Sequence, residues 1–200
     1  MSLVLYWPGW LIFRIAAIRY RLCAEGRENL PRRGRPLIVV SNHSSRRDPA
    51  AINLMLRRPV HYMAKKESFD RHNGLFEYLM VSLFGAFPVD REHPGPEVVH
   101  NIEKLLGAGK CVGIFPEGTR FPDLVLHPFE DGAAYLAWKT RATLLPIAAF
   151  DDGRYIIRIG KPFKIPDMKG RPRDVLPRMT ETIRDKVAEL LPSDWEVPPQ

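Results

Sequence analysis

The sequence predicts an α/β fold: a mixed, largely parallel sheet covered by helices, with an N-terminal helix at a membrane interface. Two observations carry the sheet and one carries the N-terminus. Short apolar, β-branched runs alternate with segments of helical periodicity, the pattern of strand–helix–strand units. Hydrophobic residues make up 45% of the 200-residue chain and charged residues 26%, enough apolar surface for one buried core and too much for a disordered chain. Residues 3–22 place Trp7 and Trp10 near the start of an apolar run and Arg14, Arg19 and Arg21 toward its end.

Taken in order, the uncharged run from Leu3 to Phe13 is too short to span a bilayer, since a crossing helix needs ~20 apolar residues. Its charges follow the apolar stretch instead of preceding it, which is the reverse of a cleaved secretory signal. Residues 1–22 therefore read as a retained helix lying in the membrane surface, with a helix packed on the domain as the alternative. Residues 23–200 form the second unit. Its strand candidates are Leu37–Val40, Val60–Ala64, Phe84–Val89, Cys111–Phe115, Leu144–Phe150 and Arg154–Phe163. Helix candidates fall between them at Asp48–Leu56, Gly74–Leu83, Val98–Leu106 and Ala133–Lys139. After the last strand, Leu176, Met179, Ile183, Val187 and Leu190 recur at three- and four-residue steps, a core-facing stripe that ends near Pro192. The tail Val197–Gln200, with paired prolines, is expected to fray.

Thirty Lys and Arg against 23 Asp and Glu give a formal net charge of +7. That balance favours anionic partners: a nucleic acid, an anionic membrane, or phosphorylated or CoA-type ligands. Cys23 and Cys111 are far apart, and Cys111 sits in an apolar run, so neither a disulfide framework nor a cysteine metal site is expected.

Chemistry-bearing residues gather where predicted strands end. Asn42, His43 and Asp48 follow the first long strand and lead into a helix. A carboxylate at that position can accept from one imidazole N–H and leave the other ring nitrogen as a base. The same spacing also fits Asp48 capping its helix and His43 bonded within a turn. Phe115-Pro116-Glu117-Gly118-Thr119-Arg120 closes a later strand. It offers a close backbone approach at Gly118, neutral donors around Thr119 and a guanidinium fork at Arg120, or simply a tight turn with a surface Glu117–Arg120 pair. Gly85, Val89 and Arg91 bring a second arginine to another strand end.

Together these blocks resemble the glycerolipid acyltransferase family typified by bacterial 1-acyl-sn-glycerol-3-phosphate acyltransferases. The family's Asn-His-x4-Asp matches Asn42, His43 and Asp48, and its Gly-x-x-x-Val-x-Arg strand end matches Gly85, Val89 and Arg91. Its Phe-Pro-Glu-Gly-Thr-Arg block is present in full at 115–120, and its Pro-bearing apolar strand is similar to Leu145-Pro146-Ile147-Ala148. Ala64-Lys65-Lys66-Glu67 is similar to the Ala-Lys-x-Glu that the family often carries between its first two blocks.

The resemblance implies an enzyme that moves an acyl group from acyl-CoA or acyl-carrier protein to the free hydroxyl of 1-acyl-sn-glycerol-3-phosphate, giving phosphatidic acid at the cytoplasmic face of a membrane. It implies His43 as general base and Asp48 as its orienter. Arg91, Glu117, Gly118, Thr119 and Arg120 would form the acceptor site, with Lys65 as a further basic contact. No cofactor and no metal is implied; the acyl thioester is a co-substrate. The chain departs from the family pattern at Arg46 and Arg47 inside the first block, at Phe121-Pro122-Asp123 after Arg120, and at Glu130, where a Phe-Lys-x-Gly is common. These loops border the expected head-group site. Acylation of another lysophospholipid is thus a second expectation, and a non-catalytic anionic-lipid-binding protein a third. No aromatic-basic RNA motif, helix-turn-helix spacing or zinc site supports nucleic-acid binding.

Overall fold

Residues 21–70, 72, 86–89, 95–166 and 170–200 are described by a computed structural model. Their strands are β1 (Cys23–Glu25), β2 (Leu37–Ser41), β3 (Val60–Lys65), β4 (Phe87–Val89), β5 (Cys111–Ile114), β6 (Thr143–Asp151) and β7 (Tyr155–Ile159). The helices are α1 (Asp48–Leu56), α2 (Pro96–Gly107), α3 (Gly132–Thr140) and α4 (Pro172–Ala188). The expected helices at 1–22 and 74–83 fall almost wholly outside the described residues, as do Gly85 and Arg91.

These strands form one sheet in the order β1-β7-β6-β2-β5-β3-β4. β2, β3, β4, β5 and β6 run parallel, while β7 is antiparallel to β6 and carries β1 parallel to itself. The expected mixed, largely parallel sheet is thus the observed one. Alternation along each strand divides the core between its two faces. Ile38, Val40, Val112, Ile114, Leu144 and Phe150 face α2, α3 and α4, against Val98, Ile102, Leu136, Met179, Ile183 and Val187. Leu37, Val39, Leu145, Ile147 and Ile157 face α1. Burial on both faces explains why the strands read as continuous apolar runs instead of alternating ones.

Prolines in the first turn start α1, α2 and α4, where a missing N–H costs nothing. Asn53 then ties α1 to the next strand: its Oδ1 accepts from Val60 N–H at 2.8 Å while its Nδ2 donates to the Pro49 carbonyl at 3.0 Å. The expected strand 154–163 is shorter than its apolar pattern. β7 ends at Ile159, Gly160 N–H donates to the Pro146 carbonyl, and Phe163 returns to pair with Leu144. β1 is a strand the periodicity did not predict. The tail is also held: Gln200 accepts from Phe129 N–H and donates to the Phe129 carbonyl, and Arg184 donates to the Pro198 carbonyl. No helix among the described residues is long and apolar enough to cross a membrane.

Candidate active site

Parallel β2 and β5 lie side by side, so the loops leaving their carboxyl ends, 42–47 and 115–120, emerge together. Asn42 sets the first. Its side chain continues the β2–β6 ladder past Ser41, with Nδ2 donating to the Ala149 carbonyl and Oδ1 accepting from Ala149 N–H, both at 2.9 Å. The next residue is thereby turned out of the sheet, and it is His43.

The imidazole Nδ1 of His43 lies 2.7 Å from Asp48 Oδ2. Asp48 is fully buried at 0% exposure and does not cap its helix; Oδ2 accepts from Ser45 N–H at 2.8 Å, and Oδ1 accepts from the Tyr155 hydroxyl. Three donors on two oxygens satisfy a carboxylate that would otherwise be costly to bury. With Nδ1–H committed to Asp48, Nε2 is the ring nitrogen left with a free lone pair.

Ring stacking fixes the other coordinate of the imidazole. Gly113 has no side chain because a Cβ there would sit 2.1 Å from the Tyr62 ring. Tyr62 can therefore lie across β5 and stack on Phe115 at 5.3 Å between centroids, and Phe115 stacks on His43 at 4.1 Å. Gly118 turns the loop away with φ +71°, and a Cβ there would meet Glu130 Oε1 at 2.6 Å. Beside His43 opens a cavity of about 320 Å³ whose lining is mainly apolar, including Val98, Ile102, Ile114 and Leu136, with Glu130 among its few charged groups. That volume is at the small end of ligand cavities, ~300–1,000 Å³.

The structure brings together His43, Asp48, Glu117, Gly118, Thr119 and Arg120 of the sequence-derived set. Gly118, Thr119 and Arg120 are exposed on the rim, whereas Glu117 is 7% exposed and its Oε2 accepts from the backbone N–H of His43 at 2.7 Å. Lys65 closes β3. Tyr155 is the residue that sequence reasoning missed. It lies in an apolar run 107 positions from Asp48, and no spacing rule reaches that far. Cys111 is buried, as its apolar run suggests, and burial pushes its thiol up to about 12, so it holds its proton and is no nucleophile.

Burial pushes the Glu117 carboxyl up to about 7, with the backbone donors of His43 and His127 opposing that rise only in part. A carboxyl with a raised folded-state value binds its proton more tightly in the folded chain, so stability falls as pH rises from about 4.5 to about 7. The cost is on the order of 3 kcal/mol once the group is ionised. Glu117→Gln keeps an acceptor for His43 N–H without a charge. Thermal unfolding against pH should show the variant gaining on the wild type across this window; parallel curves would mean that Glu117 does not titrate there.

The polar loops at the carboxyl edge of the sheet thus hold a hydrogen-bonded His–Asp pair with an apolar cavity alongside. Residues 21–149 match the family described as Acyltransferase, and the chain belongs to that family. It is 34% identical over 188 residues to 1-acyl-sn-glycerol-3-phosphate acyltransferase of Bacillus subtilis (strain 168), covering 88% of this chain and 91% of that one. It is 33% identical to 1-acyl-sn-glycerol-3-phosphate acyltransferase beta of Homo sapiens, over 70% of this chain and 50% of that one. The crystal structure of the 1-acyl-sn-glycerophosphate (LPA) acyltransferase PlsC from Thermotoga maritima shares the fold, with a TM-score of 0.61 at 23% identity, covering 84% of this chain and 70% of that one. The chain is therefore an enzyme, and the non-catalytic lipid-binding expectation falls away.

Proposed function

We propose that the chain acylates the free hydroxyl of 1-acyl-sn-glycerol-3-phosphate from an acyl thioester, acyl-CoA or acyl-carrier protein, to give phosphatidic acid. The observation that carries this reading is the His43–Asp48 pair, bonded through Nδ1 at 2.7 Å and set beside an apolar cavity large enough to take part of an acyl chain. His43 Nε2 takes the proton of the acceptor hydroxyl as its oxygen attacks the thioester carbonyl. The C–O bond forms, the C–S bond breaks, and the imidazolium returns the proton to the departing thiolate. Asp48 holds the tautomer and offsets the imidazolium charge, as general-base catalysis requires. Thr119 and Arg120, exposed beside this pair, supply a hydroxyl and a guanidinium fork for the acceptor phosphate, and Arg91 and Lys65 add positive charge.

Residues 1–22 would hold the enzyme on the membrane surface that supplies the lysolipid, with Trp7 and Trp10 immersed and the arginines near anionic head groups. A second acceptor is favoured by one observation. Glu130 lines the cavity next to Gly118, where a carboxylate repels a bare phosphate and suits a head group that also carries a cation.

Thiol release by the purified protein decides among these. With one acyl-CoA donor, lysophosphatidic acid in vesicles should give the fastest release, and the protein should co-sediment with anionic vesicles. Faster release with a zwitterionic lysolipid would assign the second acceptor. Release indifferent to any lysolipid would reduce the activity to thioester hydrolysis and end the acyltransfer reading.

A further inference from the structure

Of the three donors on Asp48, the Tyr155 hydroxyl comes from outside every block that carries the chemistry, and from beyond the residues matched by the family. Tyr155 opens β7, opposite Asp151 of β6, and its ring is 5% exposed on the face of the sheet that carries α1. This antiparallel strand brings a phenol to the foot of the His43–Asp48 loop. Its hydroxyl donates to Oδ1, leaving Oδ2 to Ser45 N–H and His43.

We propose that Tyr155 is a positioning residue for acyl transfer, the far member of a relay Tyr155–Asp48–His43 that holds the carboxylate by Oδ1 and so aims Oδ2 at Nδ1–H. The inference rests on His43 being the general base. A carboxylate held at one oxygen can swing about its Cβ–Cγ bond; one held at both keeps its plane and keeps the imidazole in register. The phenol also tunes the pair. By donating into Oδ1 it draws charge from the carboxylate, so the pull of Oδ2 on an imidazolium is weaker with the phenol in place than without it. It does this without titrating itself, because burial, reinforced by the Asp48 charge, pushes the phenol's own ionisation well above the ordinary tyrosine range. Facing the relay from the loop after β5 is a further titratable group, Glu117, which accepts from His43 N–H and senses the Asp48 charge. Ser44 and Ser45, beside the phenol, are neutral.

Tyr155→Phe keeps the ring and removes the oxygen. On the full chain, kcat should fall about tenfold, equivalent to about 1.4 kcal/mol, the KM values should hold, and the acid limb of the pH–rate profile should move to higher pH. A readout independent of turnover is the NMR titration of ¹⁵N-labelled histidines. The His43 ring signal should titrate at higher pH in Tyr155→Phe, whereas His127, bonded to Asp123 instead, should not move. A 3-fluorotyrosine at position 155 keeps the fold and donates more strongly, so it should move His43 the opposite way, and it serves alone if Tyr155→Phe does not fold. An unmoved His43 signal overturns the relay. Unchanged kcat and acid limb in Tyr155→Phe, with transfer still dependent on His43, overturn the positioning role and leave the base in place. A His43 signal that moves in a protein with no lysolipid acylation overturns the general-base reading, and the part of Tyr155 in transfer goes with it.

Discussion

His43→Ala should abolish lysolipid-dependent thiol release while leaving the chain folded. In the proposed geometry the imidazole is the base that takes the acceptor's proton, and a positioned base contributes ~10²–10⁴-fold. The upper end is expected, because an alkyl hydroxyl does not ionise at neutral pH without one. The fold should survive, since Asp48 retains Ser45 N–H and the Tyr155 hydroxyl when it loses the imidazole, and Phe115 loses one stacking partner but keeps Tyr62. Steady-state rates beside a thermal melt separate the two effects. Near wild-type turnover in a folded His43→Ala protein would remove the base from the mechanism and leave the Asp48 site without a catalytic purpose.

What the sequence made legible follows from how far each interaction reaches along the chain. His43 and Asp48 are near neighbours on one loop, and the 115–120 block is contiguous, so strand periodicity and motif spacing find both. The strands of the parallel core were visible because burial on both faces selects unbroken apolar runs. β1 was not: a three-residue strand of Cys23, Ala24 and Glu25 carries no period, and its partnership with β7 is fixed by tertiary contact alone. In the sequence Tyr155 is one more residue of an apolar strand, because its hydroxyl gains meaning only when antiparallel β7 brings it to Asp48. Glu117 was assigned to the acceptor by its motif, and the sequence had no means of showing that its carboxylate turns back to the His43 backbone. The tail misled for a similar reason, since proline content argues for fraying only when no distant side chain, here Arg184, reaches it.

Asp48→Asn carries the second large effect, and the donors around it decide its form. The wild-type carboxylate receives Tyr155 O–H on Oδ1 and both Ser45 N–H and His43 Nδ1–H on Oδ2. A carboxamide offers one oxygen. The backbone N–H of Ser45 cannot turn away, whereas the Tyr155 hydroxyl can rotate to accept, so the amide oxygen should take the place of Oδ2 and its NH₂ should face Tyr155. His43 then keeps its tautomer but loses the negative charge that stabilises it once protonated. Losing a charged hydrogen-bond partner costs about 1.5–3 kcal/mol, which is a fall of roughly 10- to 150-fold in kcat. The acid limb should move to lower pH, opposite in direction to the Tyr155→Phe shift. Asp48→Ala should be worse on both counts, since it leaves Ser45 N–H and the Tyr155 hydroxyl without their acceptor in a fully buried pocket, at about 1–3 kcal/mol of stability for each. Rates across pH and thermal melts of both variants test the ordering. An Asn variant with the wild-type rate and an unmoved acid limb would show that Asp48 contributes geometry without charge.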